Sequence, residues 1–228
     1  MISDIWRWLV SEQGTAWRIG VGAAVLLGLL AWDIRRRGWA SERWREYLFL
    51  LAATAIAGAY GVVNDQITLT ISWEYFVYGK ELYHLLRGPM DVDMPAARLE
   101  AVLVGVQATW WAGLLMGAAV LLANNPRPNR PRLAYRELVR LMLLPLATAA
   151  LLGAIGGILG RAGLLTWASE DFQMMVREDI FRPYRFMAVW GIHLGGYVGA
   201  LVGTGLAVWH VRQRRKALAR QNPPEGCE

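Results

Sequence analysis

The stretch MAVWGIHLGGYVGALVGTGLAVWHV, residues 187–211, decides the fold of this chain. Its 25 residues contain no Asp, Glu, Lys or Arg. About 20 predominantly apolar residues are enough for a helix to cross a bilayer. A run of basic residues follows directly, beginning at Arg212, and such runs mark the cytoplasmic ends of membrane spans. The stretch therefore predicts a transmembrane helix.

Apolar blocks of similar length recur along the rest of the chain. Hydrophobic residues make up 55% of the 228, and charged residues only 18%, below the roughly 25% of soluble domains. We predict an all-α integral membrane helical bundle over residues 1–211, with two short periplasmic loop or helix elements and a basic cytoplasmic tail at 212–228. The five predicted spans are residues 16–32, 47–63, 101–123, 141–160 and 187–211.

The basic residues predict the orientation of the bundle. Fifteen of the 24 Lys and Arg residues lie in segments 33–46 and 124–140 and in the tail. The side richer in Lys and Arg is cytoplasmic, so the N-terminus and loops 64–100 and 161–186 are predicted to be periplasmic, in a bacterial inner membrane. The positive-inside pattern accounts for the net charge of +6, so the excess of basic residues does not require a nucleic-acid partner. The predicted partner is the lipid bilayer.

The fifth span carries a glycine at every fourth position over part of its length. Such a stripe lets the backbone of a neighbouring helix approach closely, which matters because lipid gives helices no hydrophobic reason to associate. We interpret it as a glycine zipper for helix packing. The residues are Gly191, Gly195, Gly199 and Gly203.

A polar segment, NDQITLTISWEYF at residues 64–76, follows the second span. Apolar and hydroxyl side chains alternate along residues 67–72, and this two-residue period predicts an extended stretch. Extended backbone at a membrane must be covered by protein or line a wet cavity. Asp65 and Glu74 would then lie at its two ends, as candidate catalytic carboxylates for acid–base chemistry.

The same segment resembles a motif in a family of uncharacterised bacterial multi-span membrane proteins. Their pattern is His or Asn, then Asp-Gln-(Ile/Val)-Thr, a short extended run and Glu-Tyr-Phe. It matches here at Asn64, Asp65, Gln66, Ile67, Thr68, Glu74, Tyr75 and Phe76. Many members have His where this chain has Asn64, and Pro where it has Trp73. The resemblance implies a multi-span fold but supplies no activity.

Two histidines complete a candidate metal site. His193 lies inside the fifth span, on a different face from the glycines, and ionisable residues inside spans are functional candidates. His84 forms an E-x-x-H pair with Glu81 if that segment is helical; otherwise it belongs to a solvated interface. The candidate ligands of a divalent transition metal are His193, His84, Glu74 and Asp65, supported by Asn64, Gln66 and Tyr197. Two imidazoles and two carboxylates suit Zn, Fe, Mn or Cu about equally.

Three functions remain open from the sequence. The first is a periplasm-facing carboxylate and histidine site, with or without metal, whose reaction and enzymatic nature stay unresolved. The second is a scaffold or assembly subunit that packs against another membrane protein or a second copy. The third is a small-molecule or ion carrier, which five spans favour least, because carriers are often built from paired repeats. A further acidic group, in loop 161–186, comprises Glu170, Asp171, Glu178 and Asp179.

Overall fold

The computed structural model describes residues 12–41, 43–88, 90–125, 131–168 and 182–221. The predicted all-α class is confirmed: five helical segments are long and apolar enough to cross a membrane, which fits a multi-pass membrane protein. The elements are α1 (Glu12–Arg37), α2 (Arg43–Ile71), α3 (Trp73–Gly79), β1 (Leu86–Gly88), β2 (Asp91–Val92), α4 (Met94–Ala123), α5 (Tyr135–Leu141), α6 (Leu143–Arg161) and α7 (Pro183–Gln221).

The helices extend beyond the apolar blocks that predict them. Helix α7 has 39 residues, or about 58 Å at 1.5 Å per residue, against a hydrocarbon core of about 30 Å. It includes residues 212–221 of the predicted tail; residues 222–228 lie outside the described part. The fourth span is divided between α5 and α6 at Met142. Pro145 accounts for the division, because its ring clashes with the carbonyl of the residue four positions earlier, Leu141.

The chain divides into two compact units. Unit 1 comprises residues 1–58, 107–142 and 208–228, and unit 2 comprises 59–106 and 143–207. The core of unit 2 forms around α3, where Phe76 and Val77 are fully buried together with Phe186 of α7. A Cβ on Gly79 would lie 3.1 Å from the Phe186 ring, so α3 packs closely on the first turn of α7.

In unit 2, α6 and α7 pack backbone against backbone. A Cβ built on Gly191 would overlap the carbonyl oxygen of Gly156, and the other three glycines of the predicted stripe meet the backbone or side chains of α6 in the same way. The contact also includes a hydrogen bond, 2.7 Å long, from the Thr148 hydroxyl to the Gly199 carbonyl. Such close approach is how membrane helices gain van der Waals contact and polar bonds.

In unit 1, a buried arginine of α7 holds the connection between α4 and α5. Arg215 donates from Nε to the carbonyl of Pro131 at 2.9 Å and from a terminal nitrogen to that of Ala123 at 2.5 Å. Asn124 exchanges two hydrogen bonds with the backbone of Leu133, of 2.9 and 3.1 Å. Arg215 is only 3% exposed. It therefore belongs to the folded structure rather than to a solvated tail.

Candidate functional site

The helix α2 continues through the segment that was predicted to be extended, so that prediction is wrong. Within residues 64–72 the buried residues are Asp65, Thr68, Leu69 and Ser72, which follow a helical spacing, whereas Ile67 is 57% exposed. Thr68 and Thr70 also donate hydroxyl hydrogen bonds to backbone carbonyls one turn earlier, of 3.3 and 3.0 Å. These bonds suit a helix. The alternation of residue types does not follow burial, because the apolar Leu69 is buried and the hydroxyl residue Thr70 is exposed.

Asp65 of α2 lies beside His193 of α7. The distance from Asp65 Oδ1 to His193 Nε2 is 3.7 Å, with side chains 3% and 11% exposed. This is ion-pair range and too long for a direct hydrogen bond. The side-chain amide of Asn64 donates a hydrogen bond of 3.2 Å to the same Oδ1, so Asn64 contacts Asp65 directly.

Aromatic and cationic groups surround the pair. The Tyr75 ring of α3 stacks on the His193 imidazole, with centroids 4.9 Å apart and planes at 8°. Lys80 Nζ lies 5.6 Å from the Tyr75 ring centroid. Tyr197, which was predicted to support the site, is 44% exposed. The residues of this site, Asp65, His193, Tyr75, Lys80 and Asn64, are called the Asp65–His193 site below.

Several buried polar atoms of unit 2 have no hydrogen-bond partner among the described residues. They are Oδ2 of Asp65, Nε2 of His193 and Oε1 of Glu74. A buried polar atom without a partner costs about 1–3 kcal/mol, and native proteins contain few of them. Two of the three atoms belong to the Asp65–His193 pair.

The predicted pairing of Asp65 with Glu74 is replaced by two separate contacts. Glu74 is 1% exposed and accepts a hydrogen bond of 2.7 Å from the Ser72 hydroxyl at the junction of α2 and α3. Asp65 faces His193 instead. Each carboxylate therefore has its own environment, and Glu74 is part of the turn that positions α3.

Other predicted members of the site lie elsewhere. His84 is 60% exposed and lies 3.6 Å from Glu100. Glu81 adopts a φ of 59° between α3 and the helical turn Tyr83–Leu85, so it shares no helix face with His84. The Gln66 side-chain amide donates to the Arg98 carbonyl at 2.7 Å and accepts from the Arg98 guanidinium at 3.1 Å.

The structure offers no support for the predicted metal centre. Among the described residues, no group of three or more His, Cys, Asp or Glu side chains is arranged to hold a metal ion. The acidic residues predicted in loop 161–186, Glu170, Asp171, Glu178 and Asp179, lie outside the described part of the chain.

The sequence analysis missed Tyr75 and Lys80 as members of the site. Tyr75 was noted only for its place in the motif. The sequence does place both residues near Asp65, because the aromatic Tyr75 and the cationic Lys80 follow it within 15 positions. It becomes informative only when the turn at Ser72 folds α3 back.

Comparison with protein-family models, with curated proteins and with solved structures finds no match for this chain. The fold defines a multi-pass membrane protein, and the resemblance of residues 60–76 to a bacterial family stays a prediction. What the site does must therefore be inferred from its own geometry.

Proposed function

We propose that this chain is a multi-pass protein of the bacterial inner membrane whose Asp65–His193 site is an acid–base site that exchanges protons at the periplasmic side. The observation that carries the proposal is the pair itself: a buried carboxylate and a buried imidazole, 3.7 Å apart, each with an atom lacking a protein partner. Ionisable groups inside spans are costly and generally serve function.

The proposed acid–base chemistry follows from the properties of the imidazole and the carboxylate. Imidazole Nε2 accepts a proton from a donor and returns it to an acceptor, and the neighbouring carboxylate stabilises the imidazolium that forms in between. The stacked Tyr75 ring limits rotation of the imidazole. At 3.7 Å the charge of one group influences the protonation of the other, which suits acid–base chemistry.

The proposed periplasmic position rests on distances along two helices. Asp65 is 22 residues after Arg43 on α2, and His193 is 22 residues before Arg215 on α7. Each separation is about 33 Å, close to the thickness of the hydrocarbon core. With the arginine-rich ends in the cytoplasm, the pair lies near the opposite interface, where water is within reach.

Infrared difference spectroscopy against pH tests the proposal on protein reconstituted in lipid. We expect a buried carboxylic-acid band that disappears in Asp65→Asn and shifts in His193→Gln, because the imidazole lies 3.7 Å from the carboxyl group and sets its electrostatic environment. Asp93→Asn, at an exposed carboxylate in the loop before α4, is the matched control and should leave the band unchanged. A wild-type band that neither substitution at the pair alters would contradict the proposal.

A scaffold function is the second candidate, and one observation favours it. Only 6% of the apolar window of α1 is buried, against 22–39% in the other four spans. Such a helix is available to another membrane protein or a second copy. Purification distinguishes the candidates: protein that always carries a fixed partner supports the scaffold. Metal bound in stoichiometric amount and lost in His193→Ala would instead restore the metal alternative.

A further inference from the structure

A cavity of about 420 Å³ lies in unit 1, where the first turn of α2 meets the segment that leads into α5. Its volume is in the range of small-molecule sites. The guanidinium group of arginine is a planar fork of N–H donors that matches the oxygens of a phosphate. Three arginines and one tyrosine are among the residues that line the cavity. The lining residues are Arg45, Arg132, Leu133, Ala134, Tyr135 and Arg136.

The wall of this cavity is fixed by bonds from outside it. Leu133 is held on both its N–H and its carbonyl by the side-chain amide of Asn124. The preceding carbonyl, of Pro131, accepts from the buried Arg215. These bonds hold the backbone on both sides of Arg132, and a site held in place by its own structure loses less conformational entropy on binding.

The charge of the cavity is positive. Arg132 lies 3.7 Å from Glu46, so one of the three positive charges is partly balanced. The Arg45 guanidinium lies over the Trp44 ring, 5.3 Å from its centroid. The positive-inside pattern explains why arginines are frequent at these helix ends. It does not explain why three of them line one cavity with a fixed wall.

The position of the cavity indicates the source of the anion. Arg45 is in the first turn of one apolar span, and Tyr135 is the first residue of another. Span ends lie at the level of the lipid headgroups, where tyrosine is also enriched. Basic pockets between membrane helices suit anionic headgroups. We propose that the cavity binds the phosphate ester of an anionic lipid headgroup.

The test compares two double variants that remove the same charge from the full-length protein. Arg45→Gln with Arg136→Gln changes the cavity, and Arg212→Gln with Arg220→Gln changes exposed positions of α7. Binding of phosphatidylglycerol in detergent is measured by native mass spectrometry, with phosphatidylcholine and soluble glycerol 3-phosphate as parallel probes. Circular dichroism verifies that each variant is folded. If the Gln variants do not fold, the corresponding Arg→Lys double variants replace them. Lysine keeps the positive charge but lacks the planar set of N–H donors of the guanidinium group.

We expect the cavity double to bind phosphatidylglycerol roughly tenfold more weakly than the α7 double, since hydrogen bonds to charged groups are the stronger ones. Wild type should prefer phosphatidylglycerol to phosphatidylcholine. Equal losses in the two doubles would overturn the proposal, because general attraction to an anionic surface would then explain the binding. Glycerol 3-phosphate that binds as tightly as the lipid would overturn the assignment to a headgroup.

Discussion

The packing of α6 against α7 gives the sharpest prediction for stability. In Gly191→Ala the new Cβ would overlap the carbonyl oxygen of Gly156 and lie 2.6 Å from its carbonyl carbon. On the same helix, a Cβ on Gly196 meets no described atom within 4 Å. The two substitutions are chemically identical and lie five residues apart. They differ in whether another backbone occupies the space.

The expected difference between these variants follows from the contact distances. Ordinary contact begins at 3.4 Å, so α6 and α7 must separate by about 1 Å at Gly191, and a gap of that size forfeits a quarter to a half of each contact energy. Overpacking of this kind costs about 1–3 kcal/mol. Both substitutions gain the same helix propensity, up to about 1 kcal/mol, so this gain cancels in the comparison. The free energies of unfolding should therefore differ by about 1–3 kcal/mol, which is roughly 5- to 160-fold in the folding equilibrium.

Loss of helical circular dichroism during titration from mild detergent into SDS measures this difference. Gly191→Ala should unfold at a lower fraction of SDS than wild type. Gly196→Ala should unfold at the wild-type fraction or a higher one, as should Gly205→Ala, the second open position of α7. The same midpoint for Gly191→Ala and Gly196→Ala would refute the close contact between α6 and α7.

Two further predictions concern the polar contacts. Arg215→Ala should lower the free energy of unfolding by about 3 kcal/mol in the same titration, because two hydrogen bonds from a buried cation are lost. The control Arg214→Ala, which removes an exposed ion pair, should cost about 0–1 kcal/mol. Equal effects of the two substitutions would contradict the structural role of the buried Arg215. A hydrogen bond from the Ala96 N–H and then the contact with Arg87 lower the pKa of Asp93. The ionised carboxylate therefore stabilises the start of α4 at pH values above its ordinary pKa of about 3.9. This stability is lost as the pH falls through the lowered pKa. Amide exchange at Ala96 should accelerate in that range in wild type but not in Asp93→Asn, and acceleration in both would rule out this carboxylate as the cause.

The number and type of membrane helices could be predicted from the sequence because each span is a long apolar block. Their bounds could not, since helix ends that leave the hydrocarbon carry polar residues. Helix α2 continues eight residues beyond the predicted end of its span, and those residues include Asp65. Helix α7 continues ten residues beyond its predicted end, and those include Arg215. Hydropathy indicates which residues contact the hydrocarbon core of the bilayer, whereas the bounds of a helix depend on its backbone hydrogen bonds.

Asp65 and His193 were predicted to lie in one site and lie 3.7 Å apart, but His84 and Glu74 do not join them in a group that could hold a metal ion. Both were assigned to a four-ligand set because carboxylates and imidazoles in one compartment were assumed to converge. The structure separates His84, which lies at an exposed position beside Glu100. Sequence gives the compartment of a residue, but the rotation of its helix decides which neighbour it faces.

The rotation of α7 connects the packing face with the Asp65–His193 site. His193 lies two residues from both Gly191 and Gly195, about 200° around the helix, so the glycines contact α6 while the imidazole faces α2. Side-chain tips lie about 5–6 Å from a helix axis, so a rotation of about 20° would move the imidazole by about 2 Å. That shift exceeds what the 3.7 Å contact with Asp65 tolerates. The glycines therefore set the geometry of the acid–base pair as well as the packing, and Gly191→Ala should alter the carboxylic-acid infrared band in protein that is still folded, whereas Gly196→Ala should not.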